Sequence, residues 1–436
     1  MVWSLLVASA SALPPGADWG VTGQQERAYM GLCTGVLDAN GDGYDDLFAS
    51  AHGWSAPADL EGSVTVFYGS SVGLPATPDW RMEGGQAYAT AGSCAANAGD
   101  VNGDGYEDLL VGLSGYDHPQ SDEGAAVLYL GGPNGLAASP SWAVESDVQY
   151  AELGRGLAGV GDVDEDGYDD VLIGAPWLDG ARPGSGRVQL HRGGPNGLAQ
   201  APAWVDEADD TYSSFGFAVG GGDVNGDGYV DLLVGAYSYG RHDGGAAFVY
   251  LGGPAGPSLT PDWRVVDPQG NAEFGASLVA LDVNADGYDD VAVGADRHEN
   301  GERREGVAVL FLGSPNGPST TPDWTAESNQ ASAEFGWSLA GGDIDGDGFD
   351  DLAVGSPQSS FGEAAEGAVS VYLGSAAGLA AAPVVRLESN QADAGFGSSV
   401  VLGADTDGDG VGELVVGANT WDGALTSEGA VFLYEP

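Results

Sequence analysis

The sequence predicts an all-β fold, a seven-bladed β-propeller built from four-stranded antiparallel blades. An acidic loop motif occurs seven times, its period is close to 60 residues, and each period contains four short strand patterns. A repeat of this length is one supersecondary unit that buries its apolar face by stacking on its neighbours. Four short strands per unit are typical of a propeller blade.

The acidic motif has the form D-x-[DN]-x-D-G-x-x-[DE]. Successive copies start 62, 62, 61, 59, 61 and 62 residues apart, at Asp38, Asp100, Asp162, Asp223, Asp282, Asp343 and Asp405. Length alone would suggest about three domains. The regular repeat overrules that estimate, and residues 1–436 are predicted to form one propeller.

The fourth repeat illustrates the strand pattern. Residues 215–222 (FGFAVGGG) precede the loop, 231–236 (DLLVGA) follow it, and 246–251 (AAFVYL) lead through a Gly-Pro turn to Asp262 and Trp263. The last repeat lacks its own outer strand, so the strand around Trp19 is predicted to complete the seventh blade. Closure of this kind ties the termini together and removes exposed sheet edges.

The first twelve residues allow two interpretations. Residues 3–7 resemble a spare copy of the third strand type, whereas VWSLLVASASA resembles a signal h-region ending in A-x-A but lacks a basic n-region. We favour the repeat interpretation, because Leu13, Pro14, Asp18 and Trp19 recur after a constant 61 residues.

The motif spacing predicts one calcium site per blade, up to seven Ca²⁺ in all. Calcium takes six to eight oxygen ligands, and short Asp side chains bring several carboxylates inward from one tight turn. Positions 1, 3, 5 and 9 supply side chains, and position 7 supplies a backbone carbonyl. The predicted ligands are Asp38, Asn40, Asp42, Tyr44 and Asp46; Asp100, Asn102, Asp104, Tyr106 and Asp108; Asp162, Asp164, Asp166, Tyr168 and Asp170; Asp223, Asn225, Asp227, Tyr229 and Asp231; Asp282, Asn284, Asp286, Tyr288 and Asp290; Asp343, Asp345, Asp347, Phe349 and Asp351; and Asp405, Asp407, Asp409, Val411 and Glu413.

The acidic motif has two alternative interpretations. An EF-hand requires Glu at position 12 and flanking helices, but position 12 of the first loop is Ala49 and the flanks are glycine-broken strands. Metal-free Asp/Asn/Gly hairpin turns are the other alternative. Seven matches to one ligand spacing favour calcium over both.

These repeats resemble FG-GAP repeats, the blades of the integrin alpha-chain N-terminal propeller. The FG element is present at Phe215-Gly216, Phe274-Gly275, Phe335-Gly336 and Phe396-Gly397, and the GAP element is intact at Gly174-Ala175-Pro176. Met30-Gly31, Ala91-Gly92 and Leu153-Gly154 depart from the FG pattern. The resemblance implies metal loops between the first two strands of a blade and ligand binding on the opposite face. It carries over no ligand residues.

Composition restricts the partners. The formal net charge is −53, which makes nucleic acid an unlikely partner. Such a charge destabilises a compact state unless cations neutralise part of it. Seven calcium ions would add 14 positive charges and bring the net charge from −53 to −39. No run of 18 apolar residues occurs, so no membrane span is predicted. We expect a monomer in an extracellular or cell-surface setting, where calcium is plentiful.

The face opposite the metal loops is the predicted recognition surface, because variable loops on a repeated scaffold usually carry recognition. These loops are residues 52–62, 114–124, 176–186, 237–245, 296–306, 357–367 and 419–429. Candidate ligand-binding residues are Trp54, Tyr116, Trp177, Tyr239, Arg241, His298, Phe361 and Trp421. For each one, packing of its own loop is the alternative role.

Two classes of function remain open. The first is a calcium-stabilised binding or adhesion module that recognises a protein or glycan. The alternative is a polysaccharide lyase or hydrolase with its site in the central funnel. No catalytic residue can be assigned, because HExxH, CxxC and phosphate-binding glycine motifs are absent and the G-x-S-x-G at 69–73 falls in a turn. The binding module is therefore favoured.

The two cysteines, Cys33 and Cys94, occupy matching positions two residues after the blade glycine. The residues at this position in the other repeats are small: Gly156, Ala218, Ser277, Ser338 and Ser399. Small residues suggest a ring around a narrow channel, which puts the thiols on adjacent blades at one height. A disulfide needs Cα atoms within about 7 Å. We favour two free thiols over a bridge.

Overall fold

The computed structural model describes residues 13–240 and 242–435. Within these ranges the chain forms seven four-stranded antiparallel sheets, and the predicted seven-bladed propeller is confirmed. The suggested spare strand and signal-like segment at 1–12 lie outside the described residues. None of the described residues belongs to a helix with the length and hydrophobicity that a membrane crossing requires.

Blades 1 to 6 each run from an inner strand to an outer strand in sequence order, whereas blade 7 takes its outer strand from near the other end of the described chain. The closing strand is β1 (Trp19–Thr22). Blade 1 contains β2 (Met30–Leu37), β3 (Asp46–Ala51), β4 (Ser63–Phe67) and β5 (Trp80–Glu83). Blade 2 contains β6 (Ala91–Gly99), β7 (Asp108–Leu113), β8 (Ala125–Tyr129) and β9 (Trp142–Glu145). Blade 3 contains β10 (Gly156–Gly161), β11 (Asp170–Ala175), β12 (Arg187–His191) and β13 (Trp204–Glu207).

The remaining blades repeat this order. Blade 4 contains β14 (Phe215–Gly222), β15 (Asp231–Ala236), β16 (Ala246–Tyr250) and β17 (Trp263–Val266). Blade 5 contains β18 (Ser277–Leu281), β19 (Asp290–Ala295), β20 (Val307–Phe311) and β21 (Trp324–Glu327). Blade 6 contains β22 (Ser338–Gly342), β23 (Asp351–Ser356), β24 (Ala368–Tyr372) and β25 (Val385–Glu388). Blade 7 contains β26 (Phe396–Ala404), β27 (Glu413–Ala418) and β28 (Ala430–Tyr434), with β1 as its outer strand.

Strand β1 closes the ring as predicted. It pairs antiparallel with β28, with Trp19 opposite Leu433 and Thr22 opposite Ala430. The first and last of the described strands therefore share one sheet, and this pairing joins the two ends of the ring.

The core consists of the apolar layers between neighbouring blades. The second strand of every blade is buried along its whole length, because its two faces pack against different blades. Outer-strand tryptophans add a polar link to the next blade: the Trp80 indole N–H donates to the Ala137 carbonyl and packs edge-on against Tyr129, at 4.9 Å between ring centroids. The repeated tryptophan thus holds the outer rims of neighbouring blades together.

Candidate functional site

The seven acidic loops each join the first strand of a blade to its second strand. In the first loop the Asp38 carboxylate accepts hydrogen bonds from the backbone N–H groups of Gly41 (2.8 Å), Asp42 (3.1 Å) and Gly43 (3.0 Å). Gly43 has a φ of 83°, a conformation that glycine adopts without strain. Position 1 therefore organises the turn around its own carboxylate.

Carboxylate oxygens of the predicted ligands converge inside three of the loops. In the third loop one oxygen each from Asp162, Asp164 and Asp170 lies within 4.8 Å of the others. Similar triads form in the sixth loop, from Asp343, Asp345 and Asp347, and in the seventh, from Asp405, Asp407 and Glu413. The other four loops have Asn at position 3. An all-oxygen set at this spacing fits a hard divalent cation such as Ca²⁺.

Position 9 is buried at the base of each loop. In the fourth loop the Asp231 carboxylate accepts hydrogen bonds from the Val224 N–H (2.9 Å) and the Gly252 N–H (2.6 Å), which lies in the turn between the third and fourth strands. Burial raises the pKa of Asp231 to about 7, and the two backbone hydrogen bonds offset this only in part. A bound cation would favour the charged form that burial penalises.

Most neighbouring acidic loops are linked directly around the ring. The residue at position 8 extends a carboxylate to the position 1 backbone N–H of the preceding loop, as Glu107 does to Asp38 (2.7 Å) and Asp169 does to Asp100 (2.8 Å). In return the Glu107 N–H donates to the Asp38 carbonyl (3.2 Å). Five of the seven junctions have this link; position 8 is Val230 or Gly412 at the others.

The opposite end of the propeller carries a central funnel, a cavity of about 490 Å³. Its wall includes the residues that follow the FG glycine in each blade and the first residues after the second strands. Those ends of the strands point away from the acidic loops. Lining residues include Arg155, Trp177, Phe217, Tyr237, Glu273, Asp296, Arg297 and Trp337.

Charge and aromatic surface lie side by side in the funnel. The Arg155 guanidinium stacks over the Phe217 ring, 4.6 Å from its centroid, and Tyr237 packs edge-on against Phe217 at 4.7 Å. Arg297 is paired with Glu273. Burial raises the pKa of Asp296 to about 7, and its carboxylate oxygens accept no hydrogen bond within the described residues.

The two cysteines lie in the same funnel on adjacent blades, and both are free thiols. The Cys33 Sγ donates to the Ala95 carbonyl (3.2 Å) and accepts from the Ala95 N–H (3.1 Å). A hydrogen bond with Cys33 lowers the pKa of Cys94, and the Arg155 charge lowers it further. The preference for thiols over a bridge agrees with this arrangement.

The structure places the candidate recognition residues in three environments. Trp177 lines the funnel. Trp54 and Phe361 lie beneath the guanidinium groups of Arg81 and Arg386, at 4.4 Å and 4.5 Å. These last two side chains therefore attach their loops to outer strands.

The remaining candidates pack inward or pair locally. Trp421 and Tyr239 are buried in the blade interfaces, and Tyr116 is half-buried against a neighbouring core cluster. The His298 Nδ1 lies 2.9 Å from Asp267 Oδ2, and this hydrogen bond raises the pKa of the imidazole. Arg241 lies outside the described residues. A ligand role for these residues stays a prediction.

Sequence reasoning did not single out Arg155, Phe217 or Trp337 as funnel residues. They occupy the same position in three blades, directly after the FG glycine. That shared register was the available signal, because a fixed position in each repeat maps to a fixed height around the central axis.

Comparison with known proteins agrees with this architecture. Residues 154–191, 215–251, 274–303, 335–372 and 396–434 match the FG-GAP repeat. The first two blades, whose FG pairs are altered to Met30-Gly31 and Ala91-Gly92, lie outside the matched segments but have the same four strands. The resemblance inferred from the repeats is confirmed.

Relatives of the chain include integrin alpha subunits and a phospholipase. Integrin alpha pat-2 of Caenorhabditis briggsae is 31% identical over 246 residues, covering 52% of this chain and 19% of the relative. Human integrin alpha-IIb is 39% identical over 166 residues, covering 36% and 16%. Human phosphatidylinositol-glycan-specific phospholipase D is 32% identical over 231 residues, covering 48% and 26%. The alignments thus span about a quarter or less of these relatives.

Proposed function

We propose that this chain, which carries FG-GAP repeats and is homologous to integrin alpha subunits, is an extracellular adhesion or binding module. Calcium in up to seven loops holds the blades rigid, and a protein or glycan ligand binds on the opposite face. The proposal rests on similarity to the integrin alpha subunits and on the chemistry of that face.

The central funnel is the observation that carries the ligand assignment. It combines aromatic side chains, which supply contact area at low entropic cost, with the cationic Arg155 and Arg297. A second concavity on the same face, of about 390 Å³, is lined by Arg297, Arg303 and Arg304. Arg297 and Arg304 are paired with Glu273 and Glu334, whereas Arg155 and Arg303 have no ion pair among the described residues. In a chain with a net charge of −53, such arginines at one end favour a ligand bearing carboxylate or sulfate groups.

Calcium and ligand are assigned to opposite ends of the same blades. The cation would order each loop from within, and the links between loops would transmit that order to neighbouring blades. The funnel residues sit at the other end of the same inner strands. Calcium would therefore act by fixing the spacing of the funnel residues and would not contact the ligand.

A glycan and extracellular-protein array, probed with and without calcium, tests this proposal. Binding to anionic ligands should weaken about tenfold or more in Arg155→Gln and in Trp337→Ala, since buried aromatic and Arg anchors dominate binding energy. Val72→Ala is the control, because Val72 is 91% exposed in a turn beside the calcium loops. Equal binding by all three variants would contradict the funnel assignment.

A second candidate function, a polysaccharide lyase or hydrolase, is favoured by one observation. Two carboxyl groups with raised pKa values, Asp296 and Glu273, line the funnel beside Arg297, and burial is the main cause in both. A carboxyl with a pKa near 7 suits general acid–base work. Product release from a polyuronate that is lost in Asp296→Asn would establish the enzyme over the binding module.

A further inference from the structure

A cluster of metal-ligating side chains lies on the loop face of blade 2, away from the acidic loops. Atoms of His118, Glu123 and Glu145 that can serve as metal ligands all lie within 4.8 Å of one another. His118 and Glu123 belong to the loop between β7 and β8, and Glu145 ends the outer strand β9. We propose that these three residues bind Zn²⁺ or another divalent metal ion that prefers imidazole ligands.

The buried carboxylate of Glu123 is the first observation that points to a ligand. Glu123 is 0% exposed, and neither of its oxygens accepts a hydrogen bond within the described part of the chain. Burial raises the pKa of Glu123. The backbone N–H of His118 lies nearby and lowers that pKa in part, although it is not placed to donate a hydrogen bond. An unpaired buried carboxylate is costly unless a cation or donor accompanies it.

The glutamates at the same position in other blades accept backbone hydrogen bonds that Glu123 lacks. Glu61 in blade 1 accepts from the backbone N–H groups of Ala56 (2.8 Å) and Gly85 (3.0 Å). Glu366 in blade 6 accepts from the Phe361 N–H (2.7 Å). In those blades the glutamate organises its own loop, whereas in blade 2 its oxygens remain available beside an imidazole.

The geometry at His118 matches a small tetrahedral ion. Its Nδ1 lies 3.0 Å from Glu145 Oε2. Two ligands of a tetrahedral zinc ion with bonds of about 2.0–2.1 Å lie about 3.3 Å apart. A zinc ion could therefore replace the shared proton with only a small adjustment.

The donor set also separates this site from the calcium loops. Imidazole suits Zn²⁺, Cu²⁺ and Ni²⁺, whereas Ca²⁺ prefers oxygen ligands alone. The His118 side chain is 70% exposed. Three protein ligands therefore leave a fourth position open to water or to a ligand group on the recognition face.

Blade 5 supplies a natural comparison. Asn300, Glu305 and Glu327 occupy the positions of His118, Glu123 and Glu145, and the Asn300 amide donates to Glu327 (2.7 Å). Asparagine thus preserves the hydrogen bond between loop and outer strand without providing an imidazole. His118→Asn should fold normally and lose only the metal ligand.

Zinc titration calorimetry with calcium in excess tests the proposal, using wild type, His118→Asn, Glu123→Gln and the control His242→Asn. His242 is an exposed histidine on another loop of the same face, at φ 68°, a conformation that asparagine tolerates. Wild type and control should bind one zinc ion. The two site variants should bind it at least about tenfold more weakly, because even outer-shell partners affect affinity by that factor.

Imidazole NMR of the wild-type protein gives a second measurement that needs no variant. The chain has five histidines, and one equivalent of Zn²⁺ should shift the resonances of His118 alone. Equal zinc affinity in all four proteins, or shifts confined to other histidines, would overturn the proposal. Loss of one calcium equivalent in His118→Asn would also overturn it, since the site would then belong to a hard cation.

Discussion

Removal of calcium should destabilise this protein by an amount comparable with its whole folding free energy. Extracellular-type sites have dissociation constants of about 10⁻⁴ to 10⁻³ M. At about 1 mM calcium, a site with a constant of about 0.1 mM stabilises the folded state by about 1.4 kcal/mol. Seven independent sites of this affinity would contribute about 10 kcal/mol. Domains are typically stable by only about 5–15 kcal/mol.

The structure adds an electrostatic reason for the same outcome. Without cations the ligand carboxylates face one another within each loop, as Asp162, Asp164 and Asp170 do within 4.8 Å. The five inter-loop links would then connect loops that each carry uncompensated charge. Chelation should therefore loosen the ring as a whole.

Differential scanning calorimetry in excess EDTA, at low salt and again in about 1 M NaCl, measures the effect. We expect a large fall in melting temperature at low salt and partial recovery at high salt, where the Debye length shrinks to about 3 Å. Full recovery in salt alone would assign the effect to charge screening. A melting temperature unchanged by EDTA at low salt would refute the calcium assignment.

Four further predictions follow from single positions. Asp227→Ala removes position 5 of the fourth loop, and calorimetry should find one calcium fewer; an unchanged count would exclude this residue as a ligand. Glu107→Ala breaks one link between loops and should lower stability by about 1–3 kcal/mol, because a partly buried backbone N–H loses its partner; a melting temperature within error of wild type would contradict this. Asp296→Asn should stabilise the protein at pH 8 by up to about 4 kcal/mol, since burial raises the folded pKa to about 7 and each unit corresponds to about 1.4 kcal/mol. In the wild type, the free-energy cost of ionising buried Asp296 develops as the pH rises from about 4, the unfolded pKa, to about 7. The stability advantage of the variant should therefore vanish at pH 4. A difference in stability that does not depend on pH would contradict this prediction. Mass spectrometry after alkylation of the denatured, unreduced protein should find Cys33 and Cys94 both labelled, whereas two unlabelled cysteines would show a bridge.

The sequence was sufficient for the fold because the relevant signals are local and repeated. Each acidic loop contains its own turn glycine and ligand spacing, and the strands around it alternate with turn residues at a fixed period. The displaced outer strand around Trp19 was likewise predictable, since the last repeat ends one strand short. In the fourth blade the predicted first and second strands coincide with β14 and β15.

Which residues lie together on each face of the propeller depends on how the blades are arranged around its central axis. Arg155, Phe217 and Trp337 are one to three repeats apart in sequence, and only ring closure brings them to one funnel. The same is true of Glu107, which lies 69 residues after the loop it contacts. Local patterns do not encode these distances.

Tertiary packing also decides which aromatic side chains of the variable loops are buried and which are exposed. Trp421 and Tyr239 were predicted as candidates for ligand contact, yet they are 3% and 9% exposed because they fill space between blades. An aromatic residue in a variable loop has the same sequence signature whether it points outward or inward. His118 and Glu145 show the converse case, since a loop residue and the end of an outer strand meet only because β7, β8 and β9 are adjacent in one sheet.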